Sequence, residues 1–218
     1  MNTINQGGAD TRLIDALRSD DASQRLRAAL AAGSQADPRI TDVLVARCRV
    51  EPDFFVRDML TWALCRRPAD ETVPLLIAEL GSDVAQARGQ ALHTLSKIGD
   101  RRAWPAVRTV LHDDDDDVAR TAWRAAVVVV PEDERTALAA ELAAELGRGD
   151  TETQRSLSRA LVGLGEAARP AVLSARHHPT PGVRAHAEAT DRLFDDPDGD
   201  FVISVETAKR VAALGESG

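Results

Sequence analysis

Arginine recurs along this chain at Arg25, Arg57, Arg88, Arg120 and Arg184, and Gln154-Arg155 fills the one slot left over. The successive steps are 32, 31, 32, 34 and 30 residues. Behind each slot lies a similar small-apolar pattern, clearest as Ala91, Leu95, Ile98 and Gly99 after Arg88, and Leu60, Ala63 and Leu64 after Arg57. A repeat of this length with helical spacing is one helical hairpin, which cannot bury its apolar face alone and must stack on its neighbours. The expected fold class is therefore all-α, a right-handed α-solenoid (α-α superhelix) of about six helical hairpins with a C-terminal capping helix.

Composition agrees with that expectation. Apolar residues make up 44% and charged residues 28% of the 218, which suits an ordered globular protein. Aromatic residues are only 3% with no tyrosine, and alanine is abundant, so helices packed through small side chains are favoured over a β-rich core. Cys48 and Cys65 are too few to staple such a chain and offer no zinc spacing. The polar amino terminus does not look like a signal peptide, and the longest apolar run, Ala125 to Val130, is too short for a membrane helix. A soluble, cytoplasmic monomer with no membrane association is the expectation.

The third unit displays the grammar of the repeat. Val73-Pro74-Leu75-Leu76 is expected to open a first helix, Gly81-Ser82-Asp83 to break it, and Ala85 to Ile98 to form a second helix stopped by Gly99. Trp104-Pro105-Ala106-Val107 and Arg169-Pro170-Ala171-Val172 repeat the opening in the fourth and sixth units. Residues 1–12 are expected to be a flexible N-terminus and 13–194 one repeat domain. Residues 195–218 should form an acidic turn and a capping helix over about Ser204 to Leu214.

A proline-led helix, an Asp-rich turn, Val/Ala-Arg, two spaced small residues and Ile/Leu-Gly-Asp together resemble the short bacterial HEAT-like repeats, the kind also seen in phycobilin-lyase-type proteins. The match is best in Ala87 to Asp100 and Val118 to Pro131. Ankyrin repeats would want Thr-Pro-Leu-His and tetratricopeptide repeats a tyrosine, and neither occurs. The resemblance implies an architecture and carries over no catalytic residue.

With each arginine slot numbered zero, helical geometry puts positions −1, +3, +6, +7 and +10 inside and 0, +1, +4, +5 and +8 on an open face. That face collects Arg57, Asp58, Thr61, Trp62 and Cys65 in the second unit and Arg88, His93 and Ser96 in the third. Arg120, Thr121 and Arg124 follow in the fourth, Arg155, Ser158 and Arg159 in the fifth, and Arg184, Glu188 and Arg192 in the sixth. The result is a basic stripe on a chain of formal charge −8. Arg57, Asp58, Trp62, Arg88, His93, Arg120, Arg124, Arg155, Arg159 and Arg184 are thus the candidate partner-binding residues, expected to receive an acidic or extended protein segment on a concave face. A structural reading stands beside it: Asp21, Asp53, Asp83, Asp116 and Asp150 sit near the starts of second helices, where they can cap N–H groups and pair with arginines of neighbouring repeats.

The expected function is a non-catalytic scaffold or adaptor, with no cofactor and no metal. A nucleic-acid-associated regulatory module using the same stripe is the alternative, opposed by the acidic net charge. A HEAT-like DNA glycosylase-type or lyase-type enzyme is a further alternative, resting on Asp58 and Trp62 sharing a helix face. His177-His178 point apart on any helix, Asp196, Asp198 and Asp200 lack the calcium-loop spacing, and no nucleotide loop or nucleophile elbow occurs.

Overall fold

The computed structural model describes residues 11–35, 37 and 39–196. Among them the chain is all-helical, without a strand, and its helices alternate in chain order as the repeat requires. They are α1 (11–17), α2 (Ala22–Ala32), α3 (Arg39–Cys48), α4 (Phe54–Cys65), α5 (Ala69–Glu79) and α6 (Ala85–Ile98), followed by α7 (Trp104–Arg108), α8 (Asp116–Val129), α9 (Arg135–Ala143), α10 (Thr151–Gly163), α11 (Arg169–Ala175) and α12 (Pro181–Asp195). Short 3₁₀ turns precede α7, α9 and α11.

The helices fall into two compact units, residues 1–107 and 108–218. In the first, the second helices α2, α4 and α6 pack side by side, and α3 and α5 pack behind them. In the second, α8, α10 and α12 form the equivalent row, with α9 and α11 behind. Both are the layered arrangement of an α-solenoid. Its core is narrow and aliphatic: Leu44, Leu60, Leu64, Leu76, Leu92 and Leu95 are sealed from solvent in the first unit, and Leu138, Leu142, Leu157 and Leu161 in the second.

Local signals explain most helix ends. Gly99 takes φ 70° after Ile98, the left-handed conformation in which a Cβ would be strained, and returns its N–H to the Leu95 carbonyl. Pro105 and Pro170 lie in the first turns of α7 and α11, where a missing N–H is harmless. The third unit corrects one expectation. Helix α5 begins at Ala69, not at Val73-Pro74, and Pro74 lies inside it. Thr72 Oγ1 and the Thr72 N–H both bond the Pro68 carbonyl and hold that early turn together. The first helix is already formed at residue 11, two residues before its expected start. The capping helix expected over Ser204 to Leu214, and all but the first two residues of the acidic turn, lie outside the described residues.

Trp104 and Trp123 are buried, Trp123 at the +3 position expected inside. Trp123 satisfies its buried indole by donating Nε1–H to the Leu111 carbonyl at 2.9 Å.

Candidate functional site

The repeated arginines have a common geometry that periodicity alone did not reveal. Arg57 Nη1 donates to the carbonyls of Glu51 and Pro52 at 3.0 and 2.8 Å. Arg25 Nη1 does the same to Ser19 and Asp20, both at 2.9 Å, and Arg184 Nη1 to His178 and Pro179 at 3.1 and 2.8 Å. Arg88 Nη1 reaches Ser82 O at 2.9 Å. The acceptors lie five or six residues before the slot, in the turn joining the two helices of the hairpin, whose carbonyls have no helical partner. Gln154 keeps the geometry with an amide, donating Nε2–H to Gly149 O at 3.3 Å. Arg120 departs from it and faces Glu152 and Asp117 at 2.7 and 3.4 Å.

The slot thus grips its own turn, which differs from the expected pairing with aspartates of neighbouring repeats. Asp21, Asp53 and Asp150 do cap α2, α4 and α10, accepting from Ser23, Val56 and Thr153 N–H. Asp115, not Asp116, caps α8, and Asp116 instead meets Arg148 at 2.8 Å. No side chain caps α6, where Val84 holds the N-cap position instead of Asp83.

Two positions expected on the open face are buried. Thr61 and Ser158, both at +4, point between repeats because each finds polar partners there. Thr61 Oγ1 accepts Gln90 Nε2–H at 2.7 Å and lies 3.4 Å from Thr94 Oγ1. Gln90 also reaches the Arg57 carbonyl at 3.5 Å, and Thr94 Oγ1 donates back to the Gln90 carbonyl. In the second unit His186 and Thr190 occupy the same +2 and +6 positions against Ser158. Ser158 Oγ is 3.0 Å from His186 Nε2 and 2.7 Å from Thr190 Oγ1, His186 Nε2 is 3.0 Å from the Gln154 carbonyl, and Thr190 donates to the His186 carbonyl. Each unit therefore carries one polar clasp between consecutive second helices, built at identical register.

The Ser158–His186 pair is not a nucleophile and its base. Gly147 N–H donates to His186 Nδ1 at 2.9 Å, so the neutral ring carries its proton on Nε2 and offers Ser158 a donor. Burial pushes the imidazole down to about 4, against the raising effect of the Gln154 carbonyl. Both side chains are closed to solvent.

A second buried polar group was absent from the sequence reading. Glu51 receives Arg25 Nε and Nη2, both at 2.8 Å, together with Arg47 Nε at 2.7 Å and the Asp53 N–H at 3.0 Å. Burial drives the carboxyl pKa up, but the hydrogen bonds from Arg25, Asp53 and Arg47 outweigh it and hold it below the ordinary range. Only the repeated arginine hinted at this partner.

On the solvent side of the first unit, Trp62 is half-buried and lies against Gly33 of the preceding repeat. Arg66 sits 5.0 Å above its ring and donates Nε–H to the Gly33 carbonyl at 2.9 Å. Asp58 is exposed, His93 half-buried, and Phe54 and Phe55 stand out in solvent as an edge-to-face pair with centroids 5.6 Å apart.

On the second unit, Arg124, Arg155 and Arg159 are exposed on α8 and α10. Arg124 Nη2 donates to Thr121 Oγ1 at 3.0 Å, and desolvation with the nearby Arg120 charge lowers its guanidinium pKa. Arg155 and Arg159 meet no carboxylate among the described residues, whereas Arg108, Arg148, Arg169, Arg176 and Arg192 are all ion-paired.

Among the described residues no helix is long and apolar enough to cross a membrane. No curated protein matches the chain in sequence. Two solved structures of engineered proteins are similar to it, at 18% and 17% identity and TM-score 0.46 each, covering 85% of this chain and 96% and 98% of theirs. The complex of CpcE and CpcF of phycocyanin lyase from Nostoc sp. PCC7120 is similar at 20% identity and TM-score 0.40, over 92% of this chain and 93% of that one. Residues 51–127, the stretch from Glu51 through α4, α5, α6 and α7 and most of α8, match the family model of the HEAT repeats.

Proposed function

We propose that this protein is a non-catalytic, cytoplasmic, monomeric scaffold that binds an acidic, extended protein segment across α8 and α10, with Arg124, Arg155 and Arg159 making the contacts. One observation carries the reading. Nearly every other described arginine of the second unit is spent on a carboxylate or a turn carbonyl, while Arg155 and Arg159, one helical turn apart, have no carboxylate partner among the described residues. Arg120 adds charge beside Arg124 although it is shared with Glu152. Arg184 contributes field more than contact, since its Nη1 is committed to its turn, as the Nη1 groups of Arg57 and Arg88 are in the first unit.

The chain's formal charge of −8 repels any anion at long range, and repels the dense phosphates of a nucleic acid more than the sparser carboxylates of a protein segment. A fluorescence titration with a labelled Glu/Asp-rich peptide tests this. Binding should weaken with salt, since exposed charges are screened over roughly 10 Å at 0.1 M, and should vanish in Arg155→Glu/Arg159→Glu. Equal binding by that variant would overturn the site. Tighter, salt-steep binding of a DNA or RNA oligonucleotide would overturn the partner class.

A further inference from the structure

We infer that the first unit carries a separate docking surface, on the exposed face of α4 and α6, for a basic peptide segment that also bears apolar side chains. Phe54 and Phe55 are 66% and 71% exposed, unusual for phenylalanine, and Val50 and Val84 beside them are 60% and 43% exposed. Gln86 ties these neighbours together. Its Nε2 donates to the carbonyls of Cys48 and Glu51 at 3.0 and 2.9 Å, which brings the start of α6, and with it Val84, against the turn that carries Val50.

The second observation is Gly89. It sits inside α6, where glycine costs about 0.5–1 kcal/mol relative to alanine, yet a Cβ built on it would meet nothing within 4 Å. No contact among the described residues requires a glycine there. Gln90 bonds Arg57 O and Thr61 Oγ1 on α4, and this register sets Gly89 beside Asp58, both at +1 of their repeats. A bare stretch of helix backbone next to an aromatic pair leaves room for a partner's side chain to lie close.

Charge complementarity selects the occupant. Asp58 and Asp83 are exposed and meet no cation among the described residues, and Asp53, which caps α4, adds a third carboxylate at the start of that helix. Phe55 and Asp58, three residues apart, share one face of α4. The nearest cations, Arg57 and Arg88, have their Nη1 groups turned into the turn carbonyls. The geometry suits a segment with leucine or aromatic residues against Phe55 and lysine or arginine reaching Asp58 and Asp83, and it opposes the acidic segment assigned to the second unit.

Random dodecapeptides displayed on phage and panned against the intact protein, with counter-selection on Phe55→Ser/Asp58→Lys, test this. Enriched peptides are expected to combine Lys or Arg with Leu or aromatic residues. A synthetic copy of one should bind at least about tenfold more weakly to Phe55→Ser, the loss typical of a truncated hot spot, and equally weakly to Gly89→Gln, which fills the bay without touching the core. Asp114→Lys, an equal charge change elsewhere, should leave binding intact. Recovery of acidic peptides, of none above the counter-selected background, or of peptides as sensitive to Asp114→Lys as to Phe55→Ser would overturn the surface. Loss of a dimer in Phe55→Ser by sedimentation would also overturn it, making the occupant a second copy of the chain. Arg155→Glu/Arg159→Glu should leave this binding unchanged, so failure here and failure of the acidic-segment site are told apart.

Discussion

The guanidinium of Arg25 closes on the carboxylate of Glu51 through two hydrogen bonds of 2.8 Å, joining the first and second repeats with both side chains buried. Glu51 also accepts from Arg47 and the Asp53 N–H, so the whole carboxylate is satisfied. Removing it leaves two arginines facing a desolvated gap. Glu51→Ala is expected to destabilise the protein by about 3–5 kcal/mol, read from urea denaturation. Because the folded carboxyl titrates below its unfolded value of 4.5, its contribution is present above that pH and disappears as pH falls through the folded value. An acid limb unchanged in Glu51→Ala would contradict this account.

His186 gives the opposite kind of acid sensitivity. Its folded pKa is about 4 against an ordinary 6.5, because burial disfavours the cation. Above pH 6.5 both states are neutral and the group contributes nothing to pH dependence. As pH falls from 6.5 towards 4 the unfolded chain takes up a proton that the folded chain refuses, and about 3 kcal/mol of stability is lost. The equivalent position in the first unit is Gln90, which makes the same clasp without titrating. His186→Gln should therefore fold and flatten the denaturation profile between pH 6.5 and 4, and Gln90→His should steepen it.

These clasps mark the limit of what the sequence disclosed. Hairpin order, the turn at Gly81 to Asp83 and the Gly99 stop were legible because each follows from a period or from one residue's backbone freedom. Burial of Leu60, Ala63 and Leu64 followed from helical spacing in the same way. Thr61 and Ser158 were misplaced because a face assignment at 100° per residue ignores polar partners on the next helix. A small hydroxyl can sit between repeats when Gln90 or His186 satisfies it. Glu51 was invisible for a related reason: a buried acid has no periodic signature, and its partners lie on α2 and α3. The arginine period was plain, but only the position of the turn carbonyls distinguishes a clamp from a binding stripe.

Gly33 and Trp62 depend on one another. A Cβ on Gly33 would fall 2.3 Å from Trp62 Cζ3 and 2.9 Å from Cε3, too close for either residue to stay in place. Glycine is required here by the ring and not by the backbone, whose φ is an ordinary −65°. Gly33→Ala is expected to displace the indole, break the Arg66 stacking and destabilise the protein by about 1–3 kcal/mol. Thermal denaturation and the indole band of the near-ultraviolet circular dichroism both measure it. Trp62→Leu should relieve the clash, so the double variant should be more stable than the sum of the single effects indicates.

Arg57 and Arg159 each lie on a second helix, α4 in the first unit and α10 in the second, but do different things, and one pair of variants separates them. Arg57 holds two carbonyls of its turn and stacks 6.0 Å over Phe54, whereas Arg159 is exposed and meets no carboxylate among the described residues. Arg57→Ala frees two carbonyls in a partly buried turn and should cost about 1–3 kcal/mol, the range for charge-assisted hydrogen bonds. Arg57→Lys should recover little of it, since one ammonium cannot reproduce the fork. Neither change should greatly alter binding of an acidic peptide. Arg159→Ala should leave the melting temperature within about 0.5 kcal/mol equivalents of the parent, as surface substitutions do, while weakening that peptide. If instead Arg57→Ala abolished acidic-peptide binding at unchanged stability, the turn clamp would be incidental and the arginine slot itself would be the recognition element.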